Sequence, residues 1–199
     1  MRTDRLIRAD FDRSTLVVYQ AFHPSIADAA LKAQHFVPPF SFGRMTWIKP
    51  SFLWLMERSD WGRRARQERT LAVRIHRSAW DDALREAVLT NFEAHIHASG
   101  SDWRTALDDA RVRVQWDPER SIHGKKLDVR AIQVGLHRDI TPLYAKDWIV
   151  GIEDYTPLVQ KIRGHLENKQ VARARALLPR EAVYDVDPET RKRLGMAAP

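Results

Sequence analysis

The sequence predicts a single α/β domain of the α+β kind, with a strongly bent or split β-sheet flanked by helices. Three observations carry this. β-Branched and aromatic runs recur at residues 15–21, 70–77, 111–116, 127–136 and 148–152. Segments with helical starts separate several of them. At 199 residues the chain is one domain in size, long enough to bury a sizeable core.

In chain order, residues 1–13 read as an extended lead-in carrying Arg5 and Arg8. The run TLVVYQA from Thr15 is a strand. Pro24 and Ser25 open a helix to about Lys32, with Ile26, Ala29 and Ala30 on its buried side. Pro38 and Pro39 make residues 36–40 a rigid connector, since neither suits a ladder or a helix interior. Arg44 to Lys49 is compact and β-prone. Pro50 suits the first turn of a helix, where a missing N–H costs nothing. Residues 52–56, FLWLM, are apolar all round, as in a buried helix.

Residues 62–69, GRRARQER, form an exposed basic link to the second strand. Ser78 caps a helix expected from Ala79 to about His97, with Asp81 and Asp82 favourable to its dipole. Residues 100–109 are a polar loop or short helix. Strict alternation in RVRVQW makes 111–116 a strand, stopped by Asp117-Pro118. A turn with Gly124 leads to the strand 127–136, and 148–152 is the last strand expected. Thr156-Pro157 starts one long helix to about Leu178. Residues 1–180 thus form the domain, and 181–199 a loose C-terminal tail.

Composition narrows the function classes. A net charge of +7 favours polyanionic partners, nucleotides or nucleic acid. With no cysteine, disulfides and thiolate chemistry are excluded, and a cytoplasmic location fits. No signal-peptide core occupies the first twenty residues, and no apolar run is long enough for a bilayer, so no membrane partner is expected. There is no glycine-rich dinucleotide or phosphate loop, and no Gly-x-Ser-x-Gly elbow. His95 and His97 point to different faces, so no metal site is expected. Asp81-Asp82 and Asp108-Asp109 read as solvated helix ends rather than catalytic pairs.

What stands out is FGRMTWIKPSFLWLMERSDW, residues 42–61, with Arg44, Lys49, Arg58, Ser51 and three tryptophans at a strand-to-helix corner. Tyr19-Gln20 closes the first strand, Trp116-Asp117-Pro118-Glu119-Arg120 ends another, and Arg130 and Gln133 lie along the next. Alternation sends Arg130 and Gln133 to opposite faces unless a bulge intervenes. Aromatics with Arg, Gln and Ser at strand ends suit a flat ring bearing phosphates. The plainer alternative is a tryptophan-rich core whose cations snorkel to solvent.

The runs RLIRADFD, VVYQAF, FVPPFSFGRMTWIKPSFLWLMERSDWG, QWDPER and RAIQVGL resemble the domain-of-unknown-function family 4291 over residues 3–160. The positions matching its motifs are Arg5, Arg8, Tyr19, Gln20, Arg44, Trp47, Lys49, Ser51, Arg58, Gln67, Trp116, Asp117, Arg120, Arg130 and Gln133. The order of elements is also similar to ADP-ribosyltransferase-like domains. That second resemblance implies an enzyme binding NAD and transferring ADP-ribose to a nucleic-acid or nucleotide acceptor. It implies catalytic roles for Tyr19, Gln20 and Gln133, with Tyr19 stacked on the nicotinamide and Gln133 orienting the ribose. Arg8, Arg44, Trp47, Lys49, Ser51, Trp54 and Arg130 would hold the cofactor, Arg44 and Lys49 at its diphosphate. Arg63, Arg64, Arg66, Lys169 and Arg173 would meet nucleic acid. No histidine follows Tyr19, and no acid stands at the third motif, where Gln133 is the candidate. The other expectation is a non-catalytic RNA- or nucleotide-binding module with aromatic platforms and a basic surface.

Overall fold

The computed structural model describes residues 5–197. In order they form β1 (Arg8–Ala9), β2 (Thr15–Phe22), α1 (Pro24–Ala33), β3 (Thr46–Ile48), α2 (Phe52–Ser59), β4 (Arg69–His76), α3 (Arg77–Glu86) and β5 (Val88–Leu89). Then come α4 (Gly100–Asp108), β6 (Val112–Arg120), β7 (Lys126–Leu136), α5 (Thr141–Leu143) and a π-helical turn at Tyr144–Trp148. β8 (Ile149–Asp154), α6 (Thr156–Glu167), α7 (Val171–Ala176), β9 (Ala182–Val183) and α8 (Pro188–Arg193) complete the chain.

Of the two forms expected, bent or split, the sheet takes the split one. One half has the order β2-β4-β8 and the other β3-β7-β6-β5. The halves touch where the Tyr19 amide donates to the Lys49 carbonyl at 2.6 Å. Past that link β2 pairs with β3 no further, and Gln20 to Phe22 line a cleft opposite β3, β6 and β7.

Alternation along the strands creates two cores. Leu16 and Val18 of β2 join Leu71, Val73 and Ile75 of β4 and Val114, Trp116, Ile132 and Val134 of the other half, closed by α1 and α3. On the opposite face Val17, Tyr19 and Ala72 pack on Phe52, Leu55 and Met56 of α2 and on Val159 and Ile162 of α6. β2 is therefore buried on both faces, as its unbroken TLVVY run requires. Ser51, rather than Pro50, sets the start of α2: its hydroxyl accepts from the Trp54 amide, and Pro50 lies just outside.

Two of the expected helices end early. The helix expected over 79–97 stops at Glu86, because Ala87 is extended and Val88–Leu89 add a parallel strand to β6. The stripe that resembled a helix face is thus divided between a helix and a sheet edge. The helix expected to reach Leu178 breaks into α6 and α7. The Asn168 side chain donates to the Gly164 carbonyl at 2.9 Å, and Lys169 is left-handed at φ 58°.

The tail expected at 181–199 is not loose over its described part, 181–197. β9 pairs with β1, and Tyr184, Leu194 and Met196 are buried in the main core. The Trp116 indole donates to the Leu194 carbonyl at 3.0 Å, and Arg5 donates to the same oxygen at 3.0 Å. Three apolar side chains spaced through a charged segment suffice to seat it. Among the described residues no helix is long and apolar enough to cross a membrane.

Candidate functional site: a cationic cleft at the split in the sheet

The cleft has a volume of about 1020 Å³, at the upper end of the roughly 300–1,000 Å³ of small-molecule sites. Its floor is the outer face of β6 and β7, and its walls are the end of β2, β3, α2 and the loop before β4.

Strand phase decides what the floor carries. Val112, Val114 and Trp116 of β6 face the core, so Gln115 and Asp117 face the cleft, with Gln133 directly across from Gln115 on β7. The Gln133 amide donates to Asp117 Oδ2 at 2.7 Å, and the Gln115 amide to Oδ1 at 3.0 Å. One carboxylate is thereby held by two neutral donors, with no cation in contact among the described residues. A bulge between Pro118 and Arg120 then changes the phase: Glu119 turns inward and Arg120 enters the cleft. Arg120 is pinned there by Glu57 at 3.2 Å and the Gly124 carbonyl at 3.2 Å.

Trp47 lies flat over the floor because its partner in register is a glycine. A Cβ at Gly135 would come within 2.9 Å of the indole. Lys49 follows, 8% exposed, with Nζ 3.2 Å from the Trp47 carbonyl and 5.4 Å from the Trp54 ring centroid. Burial lowers its pKa to about 7, with Arg58 adding to the effect and Asp117 opposing it. Gln20 braces the corner. Its amide donates to Thr46 Oγ1 at 3.0 Å and the Trp47 carbonyl at 3.1 Å, and its oxygen accepts from Tyr144 at 2.6 Å.

Arg44, Arg58, Arg64 and Arg66 line the same cleft, and among the described residues none of their guanidinium groups has a hydrogen-bond or ion-pair partner. The loop holding the last two is strained: Asp60, Trp61 and Arg66 have φ of 50°, 51° and 65°. Non-glycine residues in this region cost about 1–3 kcal/mol each and collect at functional sites. Four unpaired arginines around the Trp47 face and a clasped carboxylate suit a ligand with phosphates and a flat ring.

Of the residues expected at the site, Gln20, Arg44, Trp47, Lys49, Trp54, Arg64, Arg66 and Gln133 meet here. Others do not. Tyr19 cannot stack on a ligand: it is fully buried on the opposite face of β2, edge-on to Phe52 at 5.4 Å. Burial raises its pKa well above the usual tyrosine value. Arg8 donates to the Glu181 carbonyl, Ser51 is spent as a helix cap, and Arg130 donates to the Trp116 carbonyl on the far side of β7. Arg63 pairs with Glu167. Lys169 and Arg173 lie on the exposed surface of the α6–α7 region, outside the cleft.

Arg58, Gln67, Asp117 and Arg120, which stand out in the sequence as motif positions but not among the catalytic or cofactor-binding candidates, line the cleft as well, and so does Gln115, which does not stand out. The signal for the acid was present: the alternation that makes 111–116 a strand also puts Gln115 and Asp117 on one face. The bulge that recruits Arg120 left no trace beyond Pro118.

No curated protein matches the chain. A family model matches residues 6–184, nearly the whole length and all the elements that build the cleft, so the chain belongs to the family described as Domain of unknown function (DUF4291).

Proposed function

We propose that the cleft binds NAD and transfers its ADP-ribose to a nucleotide or nucleic-acid acceptor. The observation that carries this reading is the pairing of four unpartnered arginines with one carboxylate, Asp117, clasped by Gln115 and Gln133 in the same cavity. The residues present fit such a ligand in charge, ring faces and volume. NAD supplies an N-glycosidic bond whose cleavage leaves positive charge on the ribose.

The chain's own groups divide the work. Arg44, Arg58, Arg64 and Arg66 hold phosphate oxygens by charge-assisted bonds. Trp47 offers a ring face, in place of Tyr19, while the buried Trp54 backs Lys49. Asp117 accepts from a ribose hydroxyl and offers negative charge where positive charge develops, in a position fixed before the ligand arrives. This carboxylate answers the lack of an acid at the third motif, with Gln133 as its support. Positioning and electrostatics suffice for such a step.

The test is incubation of the protein with NAD, with and without RNA, DNA or free nucleotides, following nicotinamide release. Release, stimulated by one acceptor class, is the expected result. Intact NAD under every condition, with RNA bound, would instead make this a non-catalytic binding module.

A further inference from the structure

Lys49 is a buried lysine whose amine touches no carboxylate among the described residues. Its Nζ meets a backbone carbonyl and an indole face, and its chain forms part of the cleft wall. The charged groups acting on it are Arg58 from α2 and Asp117 from β6. Burial and the neighbouring Arg58 lower its pKa from 10.5 to about 7, so the free amine is far more populated at neutral pH than in an ordinary lysine. Desolvation beside a second cation is how proteins turn lysine into a nucleophile toward carbonyls. The surrounding arginines would concentrate phosphate beside it.

We infer that Lys49 is a reactive amine that condenses with the aldehyde of a phosphorylated sugar, whose phosphate the cleft arginines hold. The Nζ lone pair adds to C1 of the open-chain sugar, and the carbonyl oxygen takes up a proton to give a carbinolamine. That oxygen then leaves as water, taking the second nitrogen proton, and a C=N bond remains. Amine and aldehyde give imine and water, with no change of oxidation state, and hydrolysis returns both. A ribose with a free anomeric carbon and a phosphate is what cleavage of a nucleotide N-glycoside leaves. The chemistry does not require that glycoside to be NAD.

Ribose 5-phosphate with cyanoborohydride, added to the full chain at neutral pH, tests this by intact mass and peptide mapping. The expected result is one reduced adduct per chain, on the Lys49 peptide, formed at least about tenfold faster than on any other lysine. Unphosphorylated ribose should react far more slowly, and inorganic pyrophosphate should suppress the adduct. Lys49→Arg, which keeps the positive charge but has no nucleophilic amine, should remove the adduct. Labelling scattered over surface lysines, equal labelling by ribose, or no adduct at Lys49 would each overturn the inference. The wild-type map decides even if the variant fails to fold. Because no NAD is present, the result is independent of whether the protein cleaves NAD.

Discussion

Gln133 Nε2 donates to Asp117 Oδ2 at 2.7 Å, across two strands of the cleft floor. With Gln115 on the other oxygen at 3.0 Å, the bond fixes the plane of the carboxylate without neutralising it. Gln133→Leu removes one of these donors. A hydrogen bond to a charged group is worth about 1.5–3 kcal/mol, so turnover of NAD should fall about ten- to a hundredfold while NAD affinity stays within about threefold. Steady-state kcat and KM check this. An unchanged kcat would reduce Gln133 to a structural contact.

The unpaired arginines should act on binding rather than folding. Arg44→Ala is expected to cost about 1.5–3 kcal/mol in affinity for ADP-ribose, the scale of a charge-assisted hydrogen bond, with little change in Tm. Calorimetric titration and a thermal melt on the same preparation measure both. A large fall in Tm with unchanged affinity would make Arg44 a structural residue.

Buried Lys49 and half-buried Glu181 give opposite pH dependences. Lys49 titrates at about 7 when folded and near 10.5 when unfolded. The unfolded chain therefore binds more protons between those values, and stability rises with pH across that window. Glu181, which accepts from the Phe52 amide at 2.7 Å, is pushed up to about 8 from 4.5, chiefly by burial. Here the folded chain binds more protons, so stability falls as pH rises from 4.5 to 8. Lys49→Met should accordingly raise Tm most below pH 7, and Glu181→Gln, which keeps the acceptor for Phe52, most above pH 8. Melts across the range test the signs. A uniform shift at every pH would contradict the assignment.

The exposed cations of the α6–α7 region are a diffuse surface. Lys169 lies in the left-handed turn and Arg173 in α7, so they do not share one helix face as their spacing suggests. For the Lys169→Ala/Arg173→Ala double mutant we expect nucleic-acid binding to weaken uniformly across sequences. The salt dependence should flatten by about one unit of slope for each phosphate that the variant no longer neutralises. Binding at two salt concentrations decides it, and equal slopes would leave these residues as a solvated face.

Strand positions were legible because β-branched runs such as TLVVY leave little choice of backbone. So was the corner at residues 44–54, where Trp47, Lys49 and Trp54 do meet. What could not be read was facing. Tyr19 and Gln20 are neighbours on a strand, and only the tertiary packing of α2 decides that Gln20 turns to the cleft and Tyr19 to the core. Asp117 looked like a strand terminator because Pro118 follows it. The chain instead absorbs the proline in a bulge and extends the strand to Arg120. The seating of residues 181–197 depends on cavities left by distant elements, which no local pattern records.

The central claim is that Asp117 is the carboxylate at which NAD reacts. Asp117→Asn keeps an acceptor oxygen but loses the charge. Loss of transition-state charge stabilisation of this kind costs about 10²–10³ in rate. Single-turnover nicotinamide release should fall by that factor, with NAD affinity and Tm nearly unchanged. Equal release by the variant and the wild type would contradict the account.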